Sequence, residues 1–154
     1  MRISSVLVCL YDANVWVALA FAAHPHHGIA TKHFQLRDSA QPVTFCRVTQ
    51  QAFLRLVSTP VIQRTYGSSP ITNADAWAKC QDLLALPQVL WLDEPSGFVD
   101  QWSLLACLPS ASPKVWTDAY LAAFAIGHDL QLVTIDSDFK SFEKAGLNLK
   151  MLIA

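Results

Sequence analysis

Residues 130–139, with the sequence LQLVTIDSDF, combine an apolar run with two acids that follow it directly. The run Leu130–Thr134 is short and apolar, which is typical of a parallel strand buried on both faces. Asp136 and Asp138 come where such a strand would end. Ligands of open α/β sheets bind beyond the carboxyl ends of the strands. The stretch therefore predicts a buried strand that leads into a polar site.

Similar short apolar runs recur along the chain and predict further strands. They are Val6–Leu10, which ends at Tyr11-Asp12, Val43–Cys46, Val89–Leu92, which ends at Asp93-Glu94, and Leu147–Leu152. Alternation of strands with helices predicts parallel strands joined by right-handed crossovers. We therefore expect an α/β fold, a three-layer α/β/α sandwich with a central mostly parallel sheet, in one domain over residues 1–154.

The segments between these runs predict helices. The expected ranges are Ala13–Ala23, Gly28–Arg37, Thr49–Val57, Thr72 or Asn73 to Ala85, Phe98–Cys107, Ser112–Ile126 and Phe139–Lys144. Ser112 followed by Pro113 is a typical helix start, with serine as the N-cap. Gly127 suits the position after the last helical residue.

Composition indicates a globular protein with a large core, since 53% of the residues are hydrophobic and 15% charged. No run approaches the roughly 20 apolar residues that span a bilayer. We identify no signal peptide and expect a cytoplasmic protein with no membrane contact. Four separate cysteines without a CxxC pair predict buried, reduced thiols.

Charge is unevenly distributed although the net value is only −1. Residues 32–64 carry five basic residues and one acid, which gives +4, whereas residues 65–154 carry five basic and ten acidic residues, which gives −5. Such asymmetry indicates either a basic surface beside an acidic site or ordinary scatter over a solvated face.

Three acids lie where they could converge on one site. Asp12 and Asp136 follow strands, and Asp118 shares the inward apolar face of its helix with Leu121 and Ala122. A buried carboxylate is costly unless a counter-charge neutralises it. Oxygen ligands of this kind favour Mg²⁺ or Mn²⁺. Taken singly, each acid could equally be a helix cap or a loop residue.

Three motifs in this order resemble the PIN-domain family. They are Tyr11–Trp16 (YDANVW), Thr117–Ala122 (TDAYLA) and Leu132–Phe139 (LVTIDSDF). Two shorter features, His26-His27 and Thr49-Gln50 leading into Phe53-Leu54-Arg55, resemble the VapC toxins of toxin–antitoxin pairs. The resemblance covers essentially the whole chain.

The resemblance implies a metal-dependent endoribonuclease, with Asp12, Asp118 and Asp136 as catalytic residues and ligands of Mg²⁺ or Mn²⁺. The cut would leave a 5′-phosphate and a 3′-hydroxyl. Asn14 is then a candidate to orient Asp12, and Arg47 is a candidate to bind the RNA backbone. Arg55 is a second such candidate. The expected partners are RNA, a small VapB-type antitoxin and a second copy of the chain in a homodimer.

One position departs from the family pattern. The family usually has a glutamate early in the helix after the second strand, and this chain has Gln50 and Gln51. Gln50 is the positional counterpart, and as a neutral amide it supplies an oxygen but no charge. Asp138 could supply the missing acid. If Gln50 is a ligand, Gln50→Glu should strengthen cleavage with Mn²⁺, and Gln51→Glu should not.

Two other functions are compatible with parts of the sequence. A phosphotransferase of the haloacid-dehalogenase kind also begins with an Asp after its first strand, but it needs D-x-D, and Asn14 occupies the third position. Lys114 is a poor match for the lysine of that family. A non-catalytic PIN scaffold is the other alternative, because Gln replaces the glutamate. The cluster His24-Pro25-His26-His27 indicates a helix start rather than a transition-metal site.

Overall fold

Five parallel strands form the centre of the protein in the computed structural model, which describes residues 7–153. The strands are β1 Cys9–Tyr11, β2 Val43–Phe45, β3 Val89–Trp91, β4 Gln131–Thr134 and β5 Asn148–Met151. Their order across the sheet is β3-β2-β1-β4-β5. The predicted parallel sheet is therefore confirmed. The expected start of the first strand at Val6 lies outside the described residues.

Seven α-helices connect these strands within the described part of the chain. They are α1 Ala13–Ala20, α2 His27–Gln35, α3 Arg47–Val57, α4 Pro60–Thr65, α5 Asn73–Leu84, α6 Phe98–Ala106 and α7 Val115–His128. A 3₁₀ helix covers Ser137–Ala145. The sequence did not predict α4, which is only six residues long and starts with a proline. Thr72 caps α5 as expected, because its hydroxyl accepts from the backbone N–H of Asp75.

The helices cover both faces of the sheet, which gives the predicted three layers. Helices α1, α2, α3 and α5 pack on one face around an aromatic core, in which the Trp16 and Phe45 rings stack 3.9 Å apart. Helices α6 and α7 and the 3₁₀ helix cover the other face. Alternate strand residues serve the two layers: Tyr11 belongs to the first core and Leu10 to the second.

Helix α7 differs from the sequence prediction at both ends. Its start at Val115 leaves Ser112 outside, with its hydroxyl 3.1 Å from that of Ser110. Gly127 lies inside the helix rather than after it. A Cβ at this position would come within 2.6 Å of Cγ of Pro95. The helix ends at His128, and Asp129 after it takes the left-handed conformation with φ 53°. Close packing against Pro95 therefore explains this glycine.

Cys9, Cys46 and Cys80 are buried free thiols, as expected. Cys107 is also free but exposed, because it ends α6 and leads into a surface loop. Within residues 7–153, no helix has both the length and the apolar character needed to cross a membrane.

Candidate metal centre

Asp12 occupies the junction between β1 and α1, at the centre of the sheet. Its Oδ1 accepts from the backbone N–H of Ala13 at 2.7 Å, so the carboxylate caps α1. Its Oδ2 accepts from the Thr134 hydroxyl at 2.9 Å. Burial raises the pKa of Asp12, although the hydrogen bonds from Thr134 and Ala13 oppose this rise. A cation nearby would stabilise the ionised form.

Thr134 connects the groups that surround Asp12. This fully buried side chain, at the end of β4, donates to Asp12 and accepts from the backbone N–H of Asp136 at 3.0 Å. The Asn14 amide donates to the same hydroxyl at 3.3 Å. Asn14 therefore reaches Asp12 through Thr134 rather than directly. Sequence reasoning missed Thr134, although the T-x-D spacing contains it.

Asp118 lies half-buried in the first turn of α7, on the inward face that the sequence indicated. Leu121 and Ala122, on the same face, are buried. The pKa of Asp118 is raised to about 6. Burial is the largest cause, Lys114 opposes the rise, and the charges of Asp136 and Asp12 contribute to it. The mutual influence of these carboxylates indicates one shared electrostatic site.

Asp136 and Asp138 bind the ammonium of Lys114, the residue just before α7. Asp136 Oδ1 accepts from the backbone N–H of Asp138 at 2.9 Å, and its Oδ2 accepts from Lys114 Nζ at 3.1 Å. The Lys114 ammonium also donates to Asp138 Oδ2. Burial alone would raise the pKa of Asp136, but these donors outweigh it and lower the pKa. The same carboxylates raise the pKa of Lys114.

The donor set fits a hard divalent cation. Every acidic donor in the group is a carboxylate, and Lys114 supplies one positive charge against four negative ones. The pKa of Asp118 is raised mainly by burial, and the negative charges of Asp136, Asp12 and Asp138 raise it as well. In residues 7–153, no three Asp, Glu, His or Cys side chains are already positioned around one metal point. The Lys114 ammonium is the cation that Asp136 and Asp138 bind in this structure.

Gln50 has contacts that differ from those of the acids. The side chain is only 4% exposed, and its Oε1 accepts from Arg47 Nη1 at 2.5 Å. Its amide lies 3.8 Å from Cys80 Sγ. Among the described residues, no hydrogen bond joins Gln50 to Asp12, Asp118 or Asp136. Neighbouring Gln51 is exposed.

The two candidate RNA-binding arginines do not share a cavity. Arg47 begins α3 at the carboxyl edge of the sheet, where its guanidinium carbon lies 4.5 Å from the centre of the Trp91 ring. Arg55 lies two turns further along α3 and lines a separate cavity with Asn73 and Trp77. Only Arg47 therefore lies at the edge that carries the acids.

The histidine cluster begins a helix, as expected. The backbone N–H of His26 donates to His24 Nδ1 at 3.0 Å, and His27 Nδ1 lies 2.8 Å from the carbonyl oxygen of Ala18. These contacts join α1 to α2.

The acids lie together at the carboxyl edge of a parallel sheet in an α/β protein. Comparison with known proteins shows which family the chain belongs to. The family model described as PIN domain matches residues 9–145. Ribonuclease VapC41 of Mycobacterium tuberculosis is 38% identical over 148 residues, which cover 96% of this chain and 99% of that protein. Ribonuclease VapC31 of the same species is 31% identical, over 86% of this chain and 92% of that protein. The chain therefore belongs to the PIN-domain family and groups with the VapC proteins.

Solved structures agree with this fold. VapBC2 from Rickettsia felis, solved with a DNA fragment from the promoter, matches with a TM-score of 0.63 at 14% identity, over 96% of this chain and 100% of that one. A toxin–antitoxin complex from Klebsiella pneumoniae matches with a TM-score of 0.56 at 15% identity, over 94% and 98% of the two chains. The family assignment also removes the haloacid-dehalogenase alternative.

Proposed function

We propose that this protein is a metal-dependent endoribonuclease of the VapC type. The observation that carries the proposal is the convergence of three carboxylates: the Thr134 hydroxyl binds Asp12 and the backbone of Asp136, and the charges of both acids act on the half-buried Asp118. Folding brings carboxylates together here at an energetic cost, which a bound cation would offset. The names of the two ribonuclease relatives support the same activity.

Asp12, Asp118 and Asp136 would hold Mg²⁺ or Mn²⁺, since carboxylate oxygens suit both ions. When bound, the ion neutralises charge on the phosphate and makes water a better nucleophile. The cation would also remove the repulsion that raises the pKa of Asp118.

The chain's own residues fix the positions of these carboxylates. The Thr134 hydroxyl holds one oxygen of Asp12, and the backbone of Ala13 holds the other. Asn14 restrains Thr134 from the side of α1. Asp138 is the nearest candidate for a fourth acid, because Lys114 joins it to Asp136. This restraint keeps the acids near a productive geometry before the substrate arrives.

Cleavage of a single-stranded RNA tests this proposal. Purified protein, stripped of metal, should cut the RNA only after Mg²⁺ or Mn²⁺ is added, and a chelator should stop the reaction. The products should carry a 5′-phosphate and a 3′-hydroxyl, as read by enzymatic end-labelling. Folded protein that leaves RNA intact at every metal concentration would instead support the non-catalytic scaffold.

The proposal extends to a toxin role with a small VapB-type antitoxin and to a homodimer. The solved structure from Klebsiella pneumoniae is a toxin–antitoxin complex, and the one from Rickettsia felis is VapBC2 bound to promoter DNA. The surface of α6 and α7 also exposes large apolar side chains, with Leu104 78% and Trp116 52% exposed. Exposed apolar surface of this kind is typical of protein contacts. A cytoplasmic location fits both an RNA substrate and four free thiols.

Co-expression tests the partner. If a short reading frame beside the gene encodes the antitoxin, its product should co-purify with this chain and suppress cleavage. Light scattering on the chain alone should give twice the monomer mass. Separate elution of the two proteins, or a monomer mass, would contradict the corresponding part of the proposal.

A further inference from the structure

A second feature lies on the same sheet edge as the acids and has no role in holding metal. It is a cavity of about 340 Å³ lined by Arg47, Leu92, Asp93, Glu94, Tyr120 and Phe124. Small-molecule sites start near this volume, so the cavity suits one planar group rather than a length of chain. We propose that it binds a single nucleobase of the RNA beside the cut, guanine in preference to the other bases. This inference rests on the proposed function.

Strand order places the cavity at the same edge of the sheet as the acids. Strand β2 pairs with β1, and neighbouring strands lie about 5 Å apart. Asp12 directly follows β1, and Arg47 comes two residues after the end of β2. On the other side, Tyr120 and Asp118 share helix α7. An RNA strand with its phosphate at Asp12 could therefore place a neighbouring base in the cavity.

The cation of the cavity is held in a fixed position. The Arg47 guanidinium lies against the Trp91 ring, 4.5 Å from its centre, and donates to Gln50 Oε1. The Gln50 side chain is only 4% exposed, so the surrounding atoms hold its amide in a fixed position. A guanidinium restrained by stacking and by a hydrogen bond loses less freedom when it binds a ligand. Gln50 is thus a positioning residue for Arg47.

The opposite wall supplies an acceptor. The Tyr120 hydroxyl donates to Glu94 Oε1 at 2.9 Å, which fixes the carboxylate and leaves its second oxygen free of this contact. Trp91 is also tied down, because its Nε1 donates to Asp93 Oδ1 at 3.0 Å. The cavity therefore offers a fixed donor, a fixed acceptor and aromatic walls.

This combination matches guanine. Its N1–H and N2–H groups can donate to a carboxylate, and its O6 and N7 accept from arginine. Adenine and uracil offer fewer donors to Glu94, and cytosine presents a smaller ring. Unstacked RNA bases are recognised in this way, by aromatic contact and by hydrogen bonds to their edges.

Cleavage of an RNA pool of random sequence, with sequencing of the products, tests the inference. Wild-type protein with Mn²⁺ should enrich guanine at one position relative to the cut. Glu94→Gln should reduce that enrichment about 10-fold. Asp82→Asn, an exposed acid on α5, is the matched control and should leave it unchanged. Equal enrichment in wild type and Glu94→Gln would overturn the inference.

Two substitutions at Gln50 separate its possible roles. Gln50→Leu should lose the guanine enrichment, because Arg47 loses its anchor, whereas Gln50→Glu should retain it, since a carboxylate still accepts from Arg47. If Gln50→Glu instead binds Mn²⁺ more tightly and loses the enrichment, Gln50 belongs to the metal site and its positioning role is refuted. Glu94 is exposed, so its variant keeps the test valid even if Gln50→Leu fails to fold.

A binding assay distinguishes failure of this inference from failure of the proposed function. Tryptophan fluorescence of metal-free wild-type protein should change with guanosine 5′-monophosphate at a concentration about 10-fold lower than with the other three nucleotides. This readout requires no cleavage. Preference for guanine without RNA cleavage would support the cavity and contradict the nuclease; cleavage without any base preference would do the reverse.

Discussion

The carboxyl edge of the sheet has two halves that differ in charge and in proposed role. Beyond β1 and β4 the chain gathers Asp12, Asp136 and Asp138, which repel one another and raise the pKa of Asp118. Beyond β2 and β3 it places one cation and two acids that have partners of their own. Arg47 lies on Trp91, Asp93 accepts from Trp91, and Glu94 accepts from Tyr120. The first half is costly without a cation, whereas the second is satisfied by itself. We therefore propose that the first half holds the metal for cleavage and that the second half selects the RNA base.

Two buried threonines repeat this contrast. Thr134 on β4 and Thr44 on β2 are both fully buried. The Thr134 hydroxyl has three partners, namely Asp12, Asn14 and the backbone of Asp136. The Thr44 hydroxyl has none among the described residues. A buried threonine hydroxyl in this sheet therefore indicates the acidic site only where it is hydrogen-bonded to the acids, as at Thr134.

The largest effect is expected at Asp12. Asp12→Asn keeps the size of the side chain but removes one charge from the metal site. We expect the rate of Mn²⁺-dependent RNA cleavage to fall by about 1000-fold, the equivalent of several kcal/mol. Initial rates on a labelled RNA measure this loss, with Asp82→Asn as the control. A fall of less than about 10-fold would refute the central role of Asp12.

Thr134→Val and Thr44→Val form the next test. Thr134→Val releases Asp12 and should lower the rate of cleavage by about 10- to 100-fold, as changes beside metal ligands do. Thr44→Val should leave the rate unchanged and raise the free energy of unfolding by about 1 kcal/mol, because it removes an unpaired buried hydroxyl. Urea unfolding provides the second measurement. Similar rates of RNA cleavage in Thr134→Val and Thr44→Val would contradict the proposed difference between the two halves of the sheet edge.

Substitution of Lys114 should have a smaller effect, and it should strengthen metal binding rather than weaken the site. Its ammonium binds Asp136 and Asp138, so it competes with a divalent ion for these carboxylates. Lys114→Met should bind Mn²⁺ about 10-fold more tightly by titration calorimetry, a change of about 1.4 kcal/mol. Lys144→Met, also an exposed lysine, is the control. An unchanged or weaker affinity in Lys114→Met would contradict competition.

The smallest effect concerns stability without metal. The folded-state pKa of Asp118 is raised to about 6, so its protonated form stabilises the fold, and that contribution is lost as the pH rises through about 6. Asp118→Asn removes the penalty at pH 7.5. We expect Tm to rise by about 2–4 °C in a chelator, or roughly 1 kcal/mol after allowing for solvent screening.

The same melting curves contain their own control. The difference between Asp118→Asn and wild type should shrink as the pH is lowered towards 4, where the wild-type carboxyl is protonated. A wild type that is at least as stable as the variant at pH 7.5 would contradict the repulsion.

Sequence patterns predicted the parts of the site that follow from sheet topology. Asp12 and Asp136 could be predicted because they directly follow apolar runs, and Asp118 because its helix has one inward face. These predictions need only the order of strands and the period of a helix. Their role as metal ligands stays a prediction.

The remaining features depend on packing that no pattern encodes. Lys114 lies in a turn just before α7, and the later start of that helix aims its ammonium at Asp136. The sequence does not show whether the Gln50 side chain points toward the acids or toward Arg47, which lies about one turn earlier on α3. Its contact with Arg47 is visible only in three dimensions. Gly127 suggested a helix end, but its approach to Pro95 comes from tertiary contact.

Asp12, Asp118 and Asp136 are proposed to share one divalent cation. Electron paramagnetic resonance of Mn²⁺ titrated into wild-type protein and into Asp118→Asn measures this binding directly, without RNA. We expect one tightly bound ion per wild-type chain and an affinity at least about 10-fold weaker in the variant. Equal Mn²⁺ affinity in the two proteins would contradict the shared site.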